Sequence, residues 1–270
     1  IREPTTPSRT FWRDPHRAGP DGPALRAVIF DVDGTLADTE RDGHRPSFND
    51  AFAAHGLDIT WGVEEYGRLL SILGGQCRIG TDLRARGFGD RADRLAAQVH
   101  QTKTAMFRER ILDIEPRPGL IDFVKSLSGA GIRIAVATTG RRTWVAPLVR
   151  QLLGKQIGES IVTGDDVTRL KPDPEVYRRA LTELDIGPEE ALAVEDSVLG
   201  LHAAISAGIA TIVVTTDYTA GQDFTGAAAV RSSYDEAEPL SAVVCQRLHR
   251  RWWSTHDRSG RVDLGPTYLT

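Results

Sequence analysis

Ala27-Val28-Ile29-Phe30-Asp31-Val32-Asp33-Gly34-Thr35 is a short apolar run, rich in β-branched residues, that empties into a polar turn. A buried strand whose carboxyl end opens into a loop has this pattern. Three further runs of the same kind follow. Ile132 to Ala137 ends at Thr138-Thr139-Gly140, Ala191 to Val194 ends at Glu195-Asp196-Ser197, and Ala210 to Val214 is the fourth.

Between these runs the apolar residues recur at helical spacing, over Leu120 to Leu127, Val145 to Leu153, Glu175 to Leu184 and Val198 to Ala207. The glycines at 129 and 131, 154, 187 and 208 stand where left-handed caps would close those helices. Short strands alternating with such helices form βαβ units, so the expected fold class is α/β, a doubly wound and mostly parallel sheet covered on both faces. From Glu40 to Ile114 the strand signal is lost, and Phe48, Phe52, Leu69, Leu70, Leu83, Leu95, Val99 and Phe107 repeat with helical period. Inserted directly after the first strand and its loop, this stretch reads as a helical cap over the strand ends; the alternative is that it belongs to the main core. The expected division is an N-terminal extension (1–24), a core (25–39 and 115–235), a cap (40–114) and a tail (236–270).

The chain has 270 residues, 40% of them hydrophobic, enough for a substantial core. With 33 basic and 37 acidic residues the net charge is −4, so there is no overall positive field for nucleic acid, and any anion site must be local. The tail sets Arg247, Arg250 and Arg251 beside Trp252 and Trp253; a nucleic-acid contact is one reading, a terminal helix on the core or a poorly ordered end the others. Cys77 and Cys245 are too far apart in the chain for a zinc or disulfide pattern and read as free thiols in a reducing, cytoplasmic setting. No apolar run approaches the roughly 18 to 20 residues of a membrane span. The first 23 residues lack the apolar stretch of a secretory signal, and Glu3, Asp14 and Asp21 argue against an acid-poor transit peptide. Beginning on Ile1, the chain reads as processed or partial. A monomer without nucleic-acid or membrane partners is expected.

In open parallel sheets ligands bind beyond the carboxyl ends of the strands, where groups distant in sequence converge. The residues converging here are Asp31 and Asp33, Thr138, Glu195 and Asp196, and Lys171 from the loop before the third helix. Carboxylates so gathered repel one another unless a cation neutralises them, and hard oxygen donors suit Mg²⁺, so Asp31, Asp33, Glu195 and Asp196 are the expected metal ligands. Lys171 and the hydroxyls of Thr35 and Thr138 would hold phosphoryl oxygens. Asp31 and Asp33, one residue apart, can serve one substrate, the first attacking phosphorus and the second moving a proton to the leaving group and from water.

Asp31-Val32-Asp33-Gly34-Thr35-Leu36, Thr138, Lys171-Pro172-Asp173-Pro174 and Glu195-Asp196-Ser197, in that order, resemble the four motifs of the haloacid dehalogenase superfamily over residues 24–232. The resemblance implies a phosphohydrolase in which Asp31 becomes an aspartyl phosphate, Asp33 is the acid/base, Thr138 and Lys171 bind phosphate, and Asp196 helps hold Mg²⁺. Within the insert, Thr39-Glu40, His44, Phe48-Asn49, Tyr66 and Gly74-Gly75 resemble the CbbY-like branch, relatives of β-phosphoglucomutase that include xylulose-1,5-bisphosphate phosphatases. That likeness implies a small sugar phosphate as substrate, with Glu40, Tyr66 and the Gly74-Gly75 loop touching the sugar or its second phosphate. His44 and Tyr66 are substrate contacts on one reading, and a polar-face residue and cap packing on the other. The branch continues Gly-Gly-Lys-Glu-Arg, whereas this chain has Gly74-Gly75-Gln76-Cys77-Arg78; Arg78, Arg141 or Arg142 would have to supply the missing charge. Gln76, Arg78, Thr139, Gly140 and Arg141 complete the expected substrate contacts, and Cys77 has no assigned role.

Two other readings use related residues. A phosphosugar mutase would share the aspartyl phosphate but return it to a sugar, and a receiver-type signalling domain would accept phosphate on Asp to switch a partner. The cap resemblance favours hydrolysis over the first. The second needs neither Asp33 nor some 75 inserted residues.

Overall fold

The computed structural model describes residues 23–72, 74–154 and 160–256. Six strands form one sheet: β1 (Ala27–Phe30), β2 (Arg133–Ala137), β3 (Ile161–Val162), β4 (Ala191–Glu195), β5 (Ala210–Val214) and β6 (Ala229–Arg231). Every pairing is parallel and the order is β3-β2-β1-β4-β5-β6, so the winding reverses at β1. A crevice opens at such a reversal, beyond the carboxyl ends of the strands.

The strands' period-two alternation sorts large from small side chains. Val28, Phe30, Ile134, Val136, Leu192 and Val194 face one side, packed with residues of α5 (Leu120–Gly129), α6 (Arg142–Leu153) and α9 (Ala242–His256). Ala27, Ile29, Ala135, Ala137, Ala191 and Ala193 face the other, against α7 (Glu175–Leu184) and α8 (Val198–Ser206). The alanines let α7 approach closely, which brings its side chains to the strand ends.

Residues 40–114 are helical. A π-helical turn (Glu40–His44) leads into α1 (Arg45–Ala54), α2 (Val63–Leu69), α3 (Gly75–Ala85) and α4 (Ala92–Arg110). They enclose their own apolar cluster around Phe48, Phe52, Trp61, Tyr66, Leu83 and Val99. Phe107, which shares the helical repeat, packs instead into the cluster on the sheet, because the end of α4 lies back against it.

The expected caps need one correction. Gly131, Gly154 and Gly208 have positive φ, but after α7 the left-handed residue is Asp185 (φ 51°), and Gly187 is extended. The Trp-rich tail is an ordered helix: Cys245, Leu248, His249 and Trp252 are buried, and the Trp252 indole donates to the Gly226 carbonyl at 3.1 Å. Its aromatic residues pack on the core, while Arg250 and Arg251 are exposed. The expectations made for the first 22 residues, including the absence of a targeting signal, and for the last 14 fall outside the described residues. Among those described, no helix is long and apolar enough to cross a membrane.

Candidate active site

The sheet register assembles the centre of the site. Phe30 pairs with Val136 on one side and Val194 on the other, so the next residues, Ala137, Asp31 and Glu195, stand level at the crevice. All three are in step with the alanine-lined face, the face covered by α7. There Lys171 Nζ donates to Asp31 Oδ1 and Glu195 Oε1 at 2.6 Å each and to the Ala137 carbonyl at 2.9 Å. The Tyr177 hydroxyl, from the first turns of α7, donates to Glu195 Oε1 at 2.6 Å. Lys171, Asp31 and Glu195 are all nearly enclosed, their side chains 6%, 9% and 1% exposed.

Two glycines admit the carboxylates. A Cβ on Gly34, which has φ +76°, would lie 2.2 Å from Asp196 Oδ2, and one on Gly200 would overlap the Glu195 carboxylate at 1.9 Å. Both positions therefore require glycine, the first on backbone grounds as well. Arg117 holds the Gly34 turn in place: its guanidinium donates to the carbonyls of Gly34, Val214, Thr215 and Ser232 at 2.6 to 3.1 Å.

Asp31, Glu195 and Asp196 offer oxygens within 4.8 Å of one another, all buried. Burial, with Glu195 and Asp33 adding to it against the pull of Lys171, pushes the Asp31 carboxyl up to about 8. Burial and the charges of Asp31 and Glu195 likewise push Asp196 well above the ordinary carboxylate range. Lys171 is driven the other way: burial disfavours its charge, but Asp31 and Glu195 outweigh that and hold it protonated. One ammonium among three buried carboxylates leaves negative charge uncompensated, in an all-oxygen donor set. That set fits a hard divalent cation.

Asp33 stands apart from this trio. The chain reverses at Gly34, and the Asp33 carboxylate accepts from Thr39 Oγ1 at 2.5 Å and lies 3.7 Å from His44 Nε2. Burial raises its carboxyl, but the bonds from His44 and Thr39 and the charge of Lys103 hold it below the usual value. Its side chain is thus turned toward the helices of residues 40–114, so Asp33, expected among the metal ligands, does not join the cluster of Asp31, Glu195 and Asp196. Thr138 is fully buried, its hydroxyl accepting from the Gly140 amide at 3.1 Å. Thr35 Oγ1 is buried without a hydrogen-bond partner among the described residues.

Of the expected cap residues, Glu40 accepts a short hydrogen bond from the fully buried Tyr66 hydroxyl, toward which Arg78 Nη1 also donates at 3.2 Å. Arg78 is otherwise engaged with the Leu69 and Ile72 carbonyls and is only 8% exposed, so it stiffens the turn before α3. Gly74 (φ +85°) and Gly75 open α3, Gly75 lying against His100 and Phe48. Gln76 is exposed at the rim of a depression of about 510 Å³ lined by His100, Gln101, Thr104 and Arg108, on a different stripe of α4 from the one facing His44. Thr139 is exposed and Gly140 half-buried behind β2. Arg141 and Arg142 are paired with Asp165 and Asp166, so neither stands as a free replacement for the missing lysine.

Sequence reasoning missed Lys103. Residues 92, 96, 99, 103 and 107 form the buried stripe of α4, and a lysine within it was the available signal. Its Nζ lies 2.5 Å from His44 Nδ1 and 4.6 Å from the centres of the Phe48 and Phe107 rings, and burial pushes its amine down to about 8. His44 stacks on Phe107 at 3.9 Å, which fixes its plane between Lys103 and Asp33. Tyr177 and Arg117 were also missed; a tyrosine in a helix's apolar stripe and an arginine before a Pro-Gly turn carry no marker of a site.

The family of haloacid dehalogenase-like hydrolases matches residues 25–208. Protein CbbY of Cereibacter sphaeroides is 43% identical over 224 residues, spanning 81% of this chain and 96% of that protein. The phosphorylated carbohydrates phosphatase of Thermotoga maritima is 31% identical over 196 residues, 70% of this chain and 84% of that one. The crystal structure of a CbbY variant from Rhodobacter sphaeroides in complex with xylulose-1,5-bisphosphate superposes with a TM-score of 0.68 at 43% identity, covering 80% of this chain and 97% of that one.

Proposed function

The chain belongs to the haloacid dehalogenase-like hydrolases and is a phosphohydrolase, and from that premise we propose that it is a Mg²⁺-dependent cytoplasmic phosphatase of a small sugar phosphate, with a ketopentose bisphosphate such as xylulose-1,5-bisphosphate as substrate. The observation that carries this reading is Lys171 bridging Asp31 and Glu195 at 2.6 Å each, on a scaffold 43% identical to a protein whose crystal structure holds that sugar. Residues 40–114 act as the cap. The two cysteines are free, as a reducing compartment requires.

Asp31 attacks phosphorus through a carboxylate oxygen while the bond from phosphorus to the sugar oxygen breaks, leaving an aspartyl phosphate. Lys171 and the hydroxyls of Thr35 and Thr138 hold the phosphoryl oxygens. Asp33 gives its proton to the departing alcohol; the arriving phosphate's negative charge favours the protonated form it needs. In the second half Asp33, ionised again, takes a proton from water, which attacks phosphorus and frees Asp31 as inorganic phosphate leaves. Asp31, Glu195 and Asp196 would hold Mg²⁺, which supplies charge stabilisation to the transferring phosphoryl group. Glu40, half-buried, presents its carboxylate to the sugar, and the buried Tyr66 hydroxyl, bonded to it, fixes its position.

The test is steady-state phosphate release from a panel of sugar mono- and bisphosphates with purified protein and Mg²⁺. A ketopentose bisphosphate should have the highest kcat/KM. A hexose monophosphate turned over faster than every bisphosphate would sink the substrate assignment.

A further inference from the structure

Tyr218 belongs to the connection between β5 and β6, yet its ring packs against the apolar cluster of α1–α4. It meets Tyr66 edge to face at 5.7 Å. Its hydroxyl accepts from Arg45 Nε, on α1, at 3.2 Å. Gly67 makes room for it: a Cβ there would lie 3.3 Å from Tyr218 Cδ1. All three partners lie on the helical unit, and Tyr66 is the residue bonded to Glu40.

The base of the same connection is tied to the catalytic turn. The Thr216 amide donates to Thr219 Oγ1 at 2.9 Å, and the Tyr218 amide donates to Thr216 Oγ1 at 3.2 Å, which fixes the short turn carrying the ring. Thr216 Cγ2 sits 3.2 Å from where a Gly34 Cβ would be, and Arg117 bonds the Thr215 and Gly34 carbonyls together. One short segment thus touches the Asp31–Thr35 turn at its root and the sugar side of the cap at its tip.

We propose that Tyr218 is a specificity-determining residue, seating the cap against the core through Arg45 and Tyr66, so that substrates whose sugar reaches Glu40, the carboxylate that Tyr66 holds, depend on it more than substrates that occupy only the phosphate site. This rests on the reading that the sugar lies beneath Glu40. The contact is specific in two parts, an edge-to-face aromatic pair and a hydrogen bond from a guanidinium, and each can be removed separately.

The experiment measures kcat/KM for xylulose-1,5-bisphosphate and for p-nitrophenyl phosphate, whose aryl group carries no hydroxyl for Glu40, and follows the ratio of the two. Tyr218→Ala should lower that ratio at least about tenfold, mainly through KM for the bisphosphate. Tyr218→Phe and Arg45→Met each remove the one hydrogen bond and should each lower it about threefold; the double variant should fall no further than the worse single, because both delete the same interaction. A ratio within about twofold of wild type in Tyr218→Ala, or an additive loss in the double variant, overturns the inference. Should Tyr218→Ala fail to fold by circular dichroism, the Phe and Met pair decides alone. If the wild type hydrolyses p-nitrophenyl phosphate but no bisphosphate, the substrate assignment has failed instead; the same ratio is then taken with the sugar monophosphate turned over fastest, and an unchanged ratio there still overturns the role of Tyr218.

Discussion

Asp31 lies 140 residues from Lys171 in sequence and 2.6 Å from it in space, and the sheet register is what brings them together. Removing the attacking charge while keeping the volume, as in Asp31→Asn, should cut turnover at least about a thousandfold with folding intact by circular dichroism; near-normal turnover would end its assignment as nucleophile. Gly200 tests the neighbouring carboxylate from behind. A methyl group there would overlap Glu195, so Gly200→Ala should cost about 1 to 3 kcal/mol in urea unfolding and lower kcat, and a fully active, equally stable variant would contradict the contact. Because Asp31, Glu195 and Asp196 leave negative charge uncompensated, EDTA should abolish activity and Mg²⁺ restore it, with Ca²⁺ supporting little, since its longer and looser coordination misplaces the phosphoryl group. Full turnover after metal stripping would refute this. Asp31, Asp33, Thr138, Lys171, Glu195 and Asp196 were legible because each polar residue follows an apolar run or precedes a helix. Lys103 was hidden by its own stripe: the helical period marks its position as buried without saying what a buried charge would face.

The elements most easily read were the central strands β1, β2, β4 and β5, which are buried almost throughout and mostly apolar, with Arg133 and Thr211 the polar residues within their runs. β3 and β6, at the two edges of the sheet, have two and three residues and are half-exposed, too short for any period to emerge. For the tail, a terminal helix on the core was one of the readings left open, and α9 packs so, with Cys245, Leu248 and Trp252 buried in the cluster on the sheet. Within α9, His249 is fully buried, and among the described residues neither ring nitrogen meets a partner at hydrogen-bonding geometry. Burial, joined by the charge of Arg250, holds its imidazole down to about 4 against the opposing effect of the Glu189 backbone. A histidine whose folded pKa is depressed binds more protons when unfolded, so its contribution to stability is complete above about pH 6.5 and is lost progressively as pH falls toward 4. Between pH 7 and pH 5 this amounts to about 2 kcal/mol. Urea unfolding at the two pH values should therefore show a smaller loss for His249→Leu than for wild type; parallel losses would show that His249 is not the group being protonated.

At the scale of the whole molecule, two apolar clusters on the faces of the sheet and a third among the helices form two bodies facing one crevice. The chain crosses between them near Thr39 and again near Ile114, and the side chains that meet across the gap, His44 with Asp33 and Arg45 with Tyr218, come from both. This arrangement can serve hydrolysis or phosphate return equally well, since both begin with the same attack on phosphorus. They differ in whether water reaches the phosphorylated aspartate once the sugar has left. The measurement that separates them is ³¹P and ¹³C NMR of the enzyme with Mg²⁺, incubated in one tube with xylulose-1,5-bisphosphate and in another with β-glucose-1-phosphate and a trace of glucose-1,6-bisphosphate. Hydrolysis predicts steady growth of inorganic phosphate from the pentose and negligible glucose-6-phosphate. Rapid formation of glucose-6-phosphate, with little phosphate released from the pentose, would contradict it.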